Sequence, residues 1–524
     1  MYKRQDNKPL FNTLRVGLAC DRCIKAGKST ECTHMKDIIP PWKSAAKFDM
    51  VKSVYGDRKD LLARESMGQI TNDAASVFSQ KQVDEVVTAV AWAICKPSNN
   101  KKISNLAVTE TGLGNAEDKI LKNKRKTLGL LRDLKNVKTV GIIKNDKEKG
   151  VTEIAKPVGI VGAITPSTNP AATPINNIIN ALKGRNSIIV SPSPAGFKVF
   201  KNLLVLINYE LKKIKAPENL IQTFDTEVTK ELTNELMKKV DLVIVTGSLN
   251  NVREASKSGT KAIGVGQGNV TSIVDETADL DDAIIKIKSS KTFDNATSCS
   301  SENNLILIEE IYNQAIKLLS KNGGFLLDAS QKSVLQKELW INGKLNRELI
   351  AKSADYIANK LELNISNGTK ILMVEENGAG ADYPFSGEKL SPVLSLYKAK
   401  NFSDAKKIAV KILNYQGIGH SIGIHTNKND RVIELGLELP VCRVIVNQAH
   451  TFATGGSFTN GLPFSLSMGC GTWQKNTIDN NLNYKHFLNI TRISNLIPGK
   501  EASLKDYFQE YCKNNDTDNL KNLD

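Results

Sequence analysis

Cysteine is scarce in this chain. Eight in 524 residues, widely scattered, exclude a disulfide scaffold and leave thiols, metal ligands or nucleophiles in a reducing compartment. Long apolar runs are absent. No stretch reaches about 18 residues, so no membrane span is expected, and polar Met1–Leu10 lacks the apolar core of a secretory leader. The expected location is therefore the cytoplasm. Acidic residues are in deficit, with 55 Asp and Glu against 71 Lys and Arg. The resulting net charge of +16 favours anionic partners, nucleic acid or phosphate-bearing small molecules, although Lys is also a common solvated surface residue. Internal repeats and low-complexity linkers are missing as well. What is present, 40% apolar and 24% charged residues, suits a globular protein of two to four domains.

The first 66 residues stand apart, with 14 basic and 8 acidic residues in about an eighth of the chain. They hold Cys20, Cys23, Cys32 and His34, four ligands spaced C-x2-C-x8-C-x-H. Tetrahedral zinc needs such a set, and a C-x2-C turn offers two thiolates to one ion. Unligated thiols are the alternative. The segment reads either as a zinc-binding appendage that contacts nucleic acid or a partner, or as unrelated coding sequence joined in front of the rest.

Beyond it the pattern becomes that of an α/β protein. Residues 80–97 place apolar side chains at helical spacing, with Pro97 past the end, and residues 101–123 continue as a helical stretch. Residues 158–164, 187–191 and 241–246 read as buried strands, with a helix over 175–183. Further strands are expected near 304–309, 370–374 and 443–447. Alternating strands and helices imply parallel sheets covered on both faces. One set of such units fills 67–272 and a second follows over 273–450, with a further segment over 451–513 and a tail over 514–524 that is expected to be disordered.

Ligands of such sheets bind beyond the carboxyl ends of strands, and three segments qualify there. Asn169, in TPSTNP (165–170), can donate to a developing oxyanion or merely cap a turn. Thr246-Gly247-Ser248 is a small turn whose backbone N–H groups can approach a phosphate. A G-x-G-x-x-G fingerprint is absent, and the Gly-rich run 264–268 leads into a β-like stretch rather than a helix. Cys299 sits in FDNATSCSSEN (293–303), polar and loop-like. That suits a nucleophile, which needs exposure and a lowered pKa, whereas Cys95 and Cys442 lie in apolar runs and read as buried.

From about residue 70 to 492 the chain resembles the CoA-acylating branch of the aldehyde dehydrogenase superfamily. The resemblance rests on ETGLG (110–114), KPVGIV (156–161), TPSTNP (165–170), SPSP (191–194), the run around Cys299, EKLSPV (388–393) and GCGTW (469–473), in this order. It implies a two-domain α/β fold, a Rossmann-like dinucleotide-binding domain over 67–272 beside a catalytic domain over 273–450, with 451–513 returning to the first domain and supplying a small β extension for oligomerisation. Cys299 would be the nucleophile and Asn169 the oxyanion donor. Thr165, Pro166, Ser191, Gly247 and Ser248 would line NAD or NADP, and Glu388 would hold the nicotinamide ribose. Ser191 stands where hydrolytic relatives carry a Lys, which leaves the choice of dinucleotide open. Cys470 becomes a structural neighbour.

Hydrolytic relatives carry a base Glu in an E-L-G-G-K segment, and here the matching residue is Val265 of VGQGN (265–269). Valine takes no proton, so the thioester should pass to a thiol that is already partly ionised, as in coenzyme A. The run GGSFTNGLPF (455–464) is similar to that of acylating sulfoacetaldehyde dehydrogenases. The expected partners are thus an aldehyde, NAD or NADP and coenzyme A, in a homodimer or homotetramer. A hydrolytic dehydrogenase and an inactive binding protein of the same fold are the alternatives. His420 and His425 read as structural.

Overall fold

A computed structural model of the chain describes residues 68–515, apart from Ile70, Ala74 and Lys500. The zinc candidates Cys20, Cys23, Cys32 and His34 lie outside the described residues, as does the tail after Asn515. The helix Leu504–Asn514 runs into the segment expected to be disordered. No described helix is long and apolar enough to cross a membrane.

Two parallel sheets organise the chain. The first has five strands in the spatial order Ile221–Gln222, Ser187–Pro192, Ile160–Thr165, Leu242–Val245 and Ala262–Gly264. Period-two alternation sorts their side chains to two faces. Val161, Ala163, Ile188, Val190 and Ile244 pack under the helices Gln80–Cys95, Ala172–Lys183 and Phe197–Lys213. Ile164, Ile189, Val243 and Val245 pack against Lys230–Lys239 and Leu249–Lys257.

The second sheet has seven parallel strands, in the order Gly324–Leu326, Ile371–Glu375, Val393–Ala399, Glu302–Ile308, Val270–Val274, Ile422–His425 and Val444–Val446. Within Glu302–Ile308, Leu305 and Leu307 face the helices Leu280–Thr292 and Glu309–Lys321. Ile306 and Ile308 face Phe402–Tyr415 and Asn429–Glu438. Both sheets are covered on both faces, which is why their strands read as unbroken apolar runs.

Pro97 lies past the end of the helix Gln80–Cys95, as expected, and occupies the first turn of a second helix, Pro97–Thr111, where its missing N–H is harmless. Helix boundaries depart from the sequence reading at one place, because the stretch 101–123 is not continuous. Gly112 takes a left-handed φ of 66° and caps Pro97–Thr111. Asn115 then caps a new helix, Ala116–Leu134, by accepting from Asp118 N at 2.9 Å, with Glu117 and Asp118 in its first turn.

After His450 the chain leaves the seven-stranded sheet and returns. Phe464, Leu482 and Phe487 join the core around the five-stranded sheet. The last strand, Leu488–Ser494, pairs antiparallel with Val151–Pro157, which also pairs with Gly141–Asp146. These form a separate three-stranded sheet.

Candidate active site

The five-stranded sheet has its topological switch point at Ile160–Thr165. From this strand the chain first winds outward through Ser187–Pro192, then crosses over to Leu242–Val245. A crevice at the carboxyl ends is the expected outcome. Thr165 pairs in register with Pro192, and Ile164 with both Ser191 and Val245, so Thr165, Ser191 and the turn at Gly247 meet at one edge. Pro166 follows directly. Thr165 Oγ1 is buried without a hydrogen-bond partner. Ser191 Oγ lies 3.1 Å from Thr233 Oγ1. A Cβ built on Gly247 meets nothing within 4 Å, and Ser248 caps the helix Leu249–Lys257, its Oγ accepting from Asn251 N at 3.3 Å. An orphaned hydroxyl, open space over a glycine and a helix N-terminus suit a phosphate-bearing dinucleotide. Ser191 brings a neutral hydroxyl to this edge, with no cation of its own.

Cys299 lies between the turn 293–296 and the strand Glu302–Ile308. Asp294, Asn295 and Ala296 all take left-handed φ values, 50°, 51° and 57°. Three such residues in a row cost about 1–2 kcal/mol each, and Asp294 is the anchor that holds them. Its buried carboxylate accepts from Lys122 Nζ at 2.5 Å, Lys119 Nζ at 3.0 Å, Asn115 N at 2.9 Å and Thr297 Oγ1 at 2.8 Å. Burial alone would push the Asp294 carboxyl up, but the two ammonium groups and these hydrogen bonds hold it below the usual carboxylate range. Gly114, with a φ of 71°, explains part of the ETGLG signature: a Cβ there would stand 1.8 Å from Asp294 Oδ1.

Lys122 joins this anchor to Asn169. Its Nζ donates to Asn169 Oδ1 at 2.8 Å and to Thr297 Oγ1 at 3.2 Å. With the amide oxygen engaged, the Asn169 NH2 is the group left to donate, as an oxyanion requires. Asn169 is itself only half-buried.

The Cys299 thiol differs from the exposed, acidified nucleophile that its polar setting suggests. It is half-buried. Burial pushes it up to about 12, and the Glu388 carboxylate adds to the rise, against help from Ser300 and the backbone. Glu388 is pushed up to about 7 by its own burial, partly countered by Gln267, whose Nε2 donates to Glu388 Oε2 at 3.0 Å. Cys95 and Cys442, expected to be buried, are half-buried, and among the described cysteines the wholly buried one is Cys470.

The segment 265–269 closes this side. Val265 is buried and offers no proton acceptor. Gly268 presses on Cys299: a Cβ there would lie 2.2 Å from Cys299 O and 2.8 Å from Cys299 Cβ. The segment is pinned from beyond GCGTW. Gln474 accepts from Gln267 N and donates to Gln267 O, both at 2.9 Å. Asn476 Oδ1 accepts from Gly266 N at 3.0 Å and Cys470 N at 2.9 Å. His420 is buried, with Nδ1 2.7 Å from Ser421 Oγ and Nε2 unpartnered. Burial, then Arg443, push it down to about 3, so its ring is neutral. His425 is likewise buried and held near 4. Among the described residues no group of His, Cys, Asp or Glu is arranged to hold a metal.

Sequence reasoning missed Lys119, Lys122 and Asp294. A signal existed: Lys119, Lys122 and Lys126 recur at helical spacing on one face of Ala116–Leu134, and Asp294 stands inside the Cys299 run.

The chain is similar to known proteins along most of its length. The aldehyde dehydrogenase family profile matches residues 72–325. An acylating sulfoacetaldehyde dehydrogenase of Cupriavidus necator is 52% identical over 83% of this chain and 89% of its own length. The crystal structure of an acetylating aldehyde dehydrogenase from Geobacillus thermoglucosidasius superposes with a TM-score of 0.81 at 34% identity, covering 87% of this chain and 98% of that one. A Rhodopseudomonas palustris propionaldehyde dehydrogenase, solved with bound CoA and an acylated cysteine, superposes with a TM-score of 0.74 at 25% identity. It covers 83% and 96% of the two chains.

Proposed function

The chain belongs to the aldehyde dehydrogenase family, and on that premise we propose that it oxidises an aldehyde, sulfoacetaldehyde in the first instance, to its CoA thioester. The observation that carries this reading is the close packing of Gly268 on Cys299, in a segment that begins with the buried Val265, the position at which the family resemblance expects a base Glu in hydrolytic relatives. Cys299 Sγ adds to the aldehyde carbon, and the new oxyanion takes a hydrogen bond from the Asn169 amide, which Lys122 holds by its oxygen. A dinucleotide seated at Thr165, Pro166, Ser191, Gly247 and Ser248, its nicotinamide ribose against Glu388, would accept the hydride that leaves this carbon. The acyl group then rests on Cys299 as a thioester. CoA in its thiolate form adds to the thioester carbon and displaces the Cys299 thiolate, giving acyl-CoA, so that charge is conserved and no proton has to be moved. No step requires an ionised water, which fits a site without a base at position 265. The protein is expected to assemble as a homodimer or homotetramer.

Absorbance of the reduced nicotinamide tests this reading. Sulfoacetaldehyde, propionaldehyde and acetaldehyde are each supplied with NAD+ or NADP+, with and without CoA. Turnover that depends on CoA is the expected result. Equal turnover without CoA means that water resolves the thioester and that Val265 has been misread.

A further inference from the structure

Past Lys119 and Lys122, the helix Ala116–Leu134 carries a second pair of cations that Asp294 does not neutralise. Lys126 lies one turn beyond Lys122, and its Nζ donates to Gly455 O at 2.6 Å. Burial, then the charges of Arg125 and Lys122, push this ammonium down to about 7. Arg125 is half-buried, its guanidinium 5.1 Å from the Phe452 ring centroid and 5.9 Å from that of Phe458. Among the described residues it has no hydrogen bond and no ion pair. The carboxylate that acts on Lys126 from this helix, Asp133, already receives Arg132 Nη2 at 2.8 Å and Phe464 N at 2.6 Å.

This location faces the chemistry. Phe452 packs edge-on against Phe293 at 4.7 Å, and Phe293 opens the run that leads to Cys299. Lys126 in turn lies within electrostatic reach of the Cys299 thiol. Ring stacking engages the face of a guanidinium and leaves its N–H edge free for a planar or tetrahedral anion. Two adjacent, partly desolvated cations, with Asp133 already engaged by Arg132 and Phe464 N, are unfavourable unless a ligand supplies a further anion.

We propose that Arg125 and Lys126 form the subsite for the anionic head group of the aldehyde, a sulfonate or carboxylate carried by the substrate, and so select charged over neutral aldehydes. The assignment rests on Cys299 being the acylated nucleophile, and it adds the specificity determinant to that reading.

The test compares the full-length wild type with Arg125→Met, Arg125→Lys and Lys126→Met. Values of kcat/KM are taken with CoA for sulfoacetaldehyde, succinic semialdehyde and propionaldehyde, alongside inhibition by isethionate as a non-reacting sulfonate. Arg125→Met should lower the ratio of kcat/KM for sulfoacetaldehyde over propionaldehyde by about 10- to 100-fold, the range for losing a hydrogen bond to a charged group. Isethionate inhibition should weaken in step, and Arg125→Lys should recover part of both. The two anionic substrates then show whether sulfonate or carboxylate is preferred. An unchanged ratio in both Met variants overturns the proposal. So does a rise confined to the KM for CoA, which would assign the cations to its phosphates. Wild type that oxidises propionaldehyde but neither charged aldehyde sinks the sulfoacetaldehyde reading itself, a separate failure visible before any variant is made.

Discussion

The polar run and the family motifs single out Cys299 as the candidate nucleophile, but its electrostatic setting is not legible there, because that depends on Glu388, 89 residues away in the chain. With the thiol near 12, forming the thiolate at pH 7 costs on the order of 7 kcal/mol. Glu388 accounts for part of this. Its carboxyl titrates near 7, so its charge is present above neutrality, where it opposes thiolate formation. Glu388→Gln removes that charge at every pH and should move the alkylation profile of Cys299 to lower pH. Iodoacetamide modification followed from pH 7 to 10 by mass spectrometry checks this, and an unshifted profile means that the two groups do not interact. Gly268 gives a steric counterpart. Gly268→Ala drives a methyl into Cys299 O and Cβ, and a displacement of that size should cost about 100-fold in kcat, beside about 1–3 kcal/mol of stability. Cys299→Ala should abolish nicotinamide reduction outright.

At the scale of elements, the strands were the legible part. Buried on both faces, runs such as 187–191 and 241–246 advertise themselves as apolar, and they fall within a residue or two of Ser187–Pro192 and Leu242–Val245. The helix Ala116–Leu134 was illegible for the opposite reason. Its charges look like a solvated face, yet Lys119 and Lys122 are buried against Asp294. The break before it was also hidden, because an αL glycine at 112 interrupts otherwise continuous helical spacing. The strained turn 294–296 and this helix therefore form one device, in which an ion cluster offsets backbone strain and Lys122 links the turn that leads to Cys299 with Asn169. Asp294→Ala leaves two buried ammonium groups unpaired, which should destabilise the protein by about 3–5 kcal/mol. Chemical unfolding checks the loss. Because Asp294 is held below the usual carboxylate range, its contribution is present above about pH 4 and disappears as pH falls through the folded value. The stability gap between wild type and Asp294→Ala should therefore narrow in acid. A gap independent of pH would deny the charge cluster its role.

Across the whole molecule, the C-terminal return ties the two sheets together at the site. Gln474 and Asn476 fix the segment 265–269 against Cys299, and twelve residues on the chain enters the three-stranded sheet. That sheet is thin, and Leu488–Ser494 is one of its edges. Beyond the buried Leu488 and the half-buried Ile490, this strand is exposed. Ile493, Leu496 and Ile497 are exposed in succession. An uncovered edge with apolar side chains is a template for pairing, and stable monomers normally blunt such edges with charge or proline. A second copy of the chain is the partner we expect here, since a closed two-fold pairing buries the same edge on both subunits. Replacing Ile493 and Leu496 together by Glu places charges on that edge without touching Asn476 or the Cys299 turn. The mass measured by light scattering should then fall from the dimer or tetramer toward the 57.4 kDa protomer. CoA-dependent turnover per protomer should survive, because the residues assigned to catalysis all come from one chain. If the mass stays high, the subunits meet elsewhere. If dissociation abolishes turnover while the fold persists, the site depends on assembly in a way that the single chain does not show.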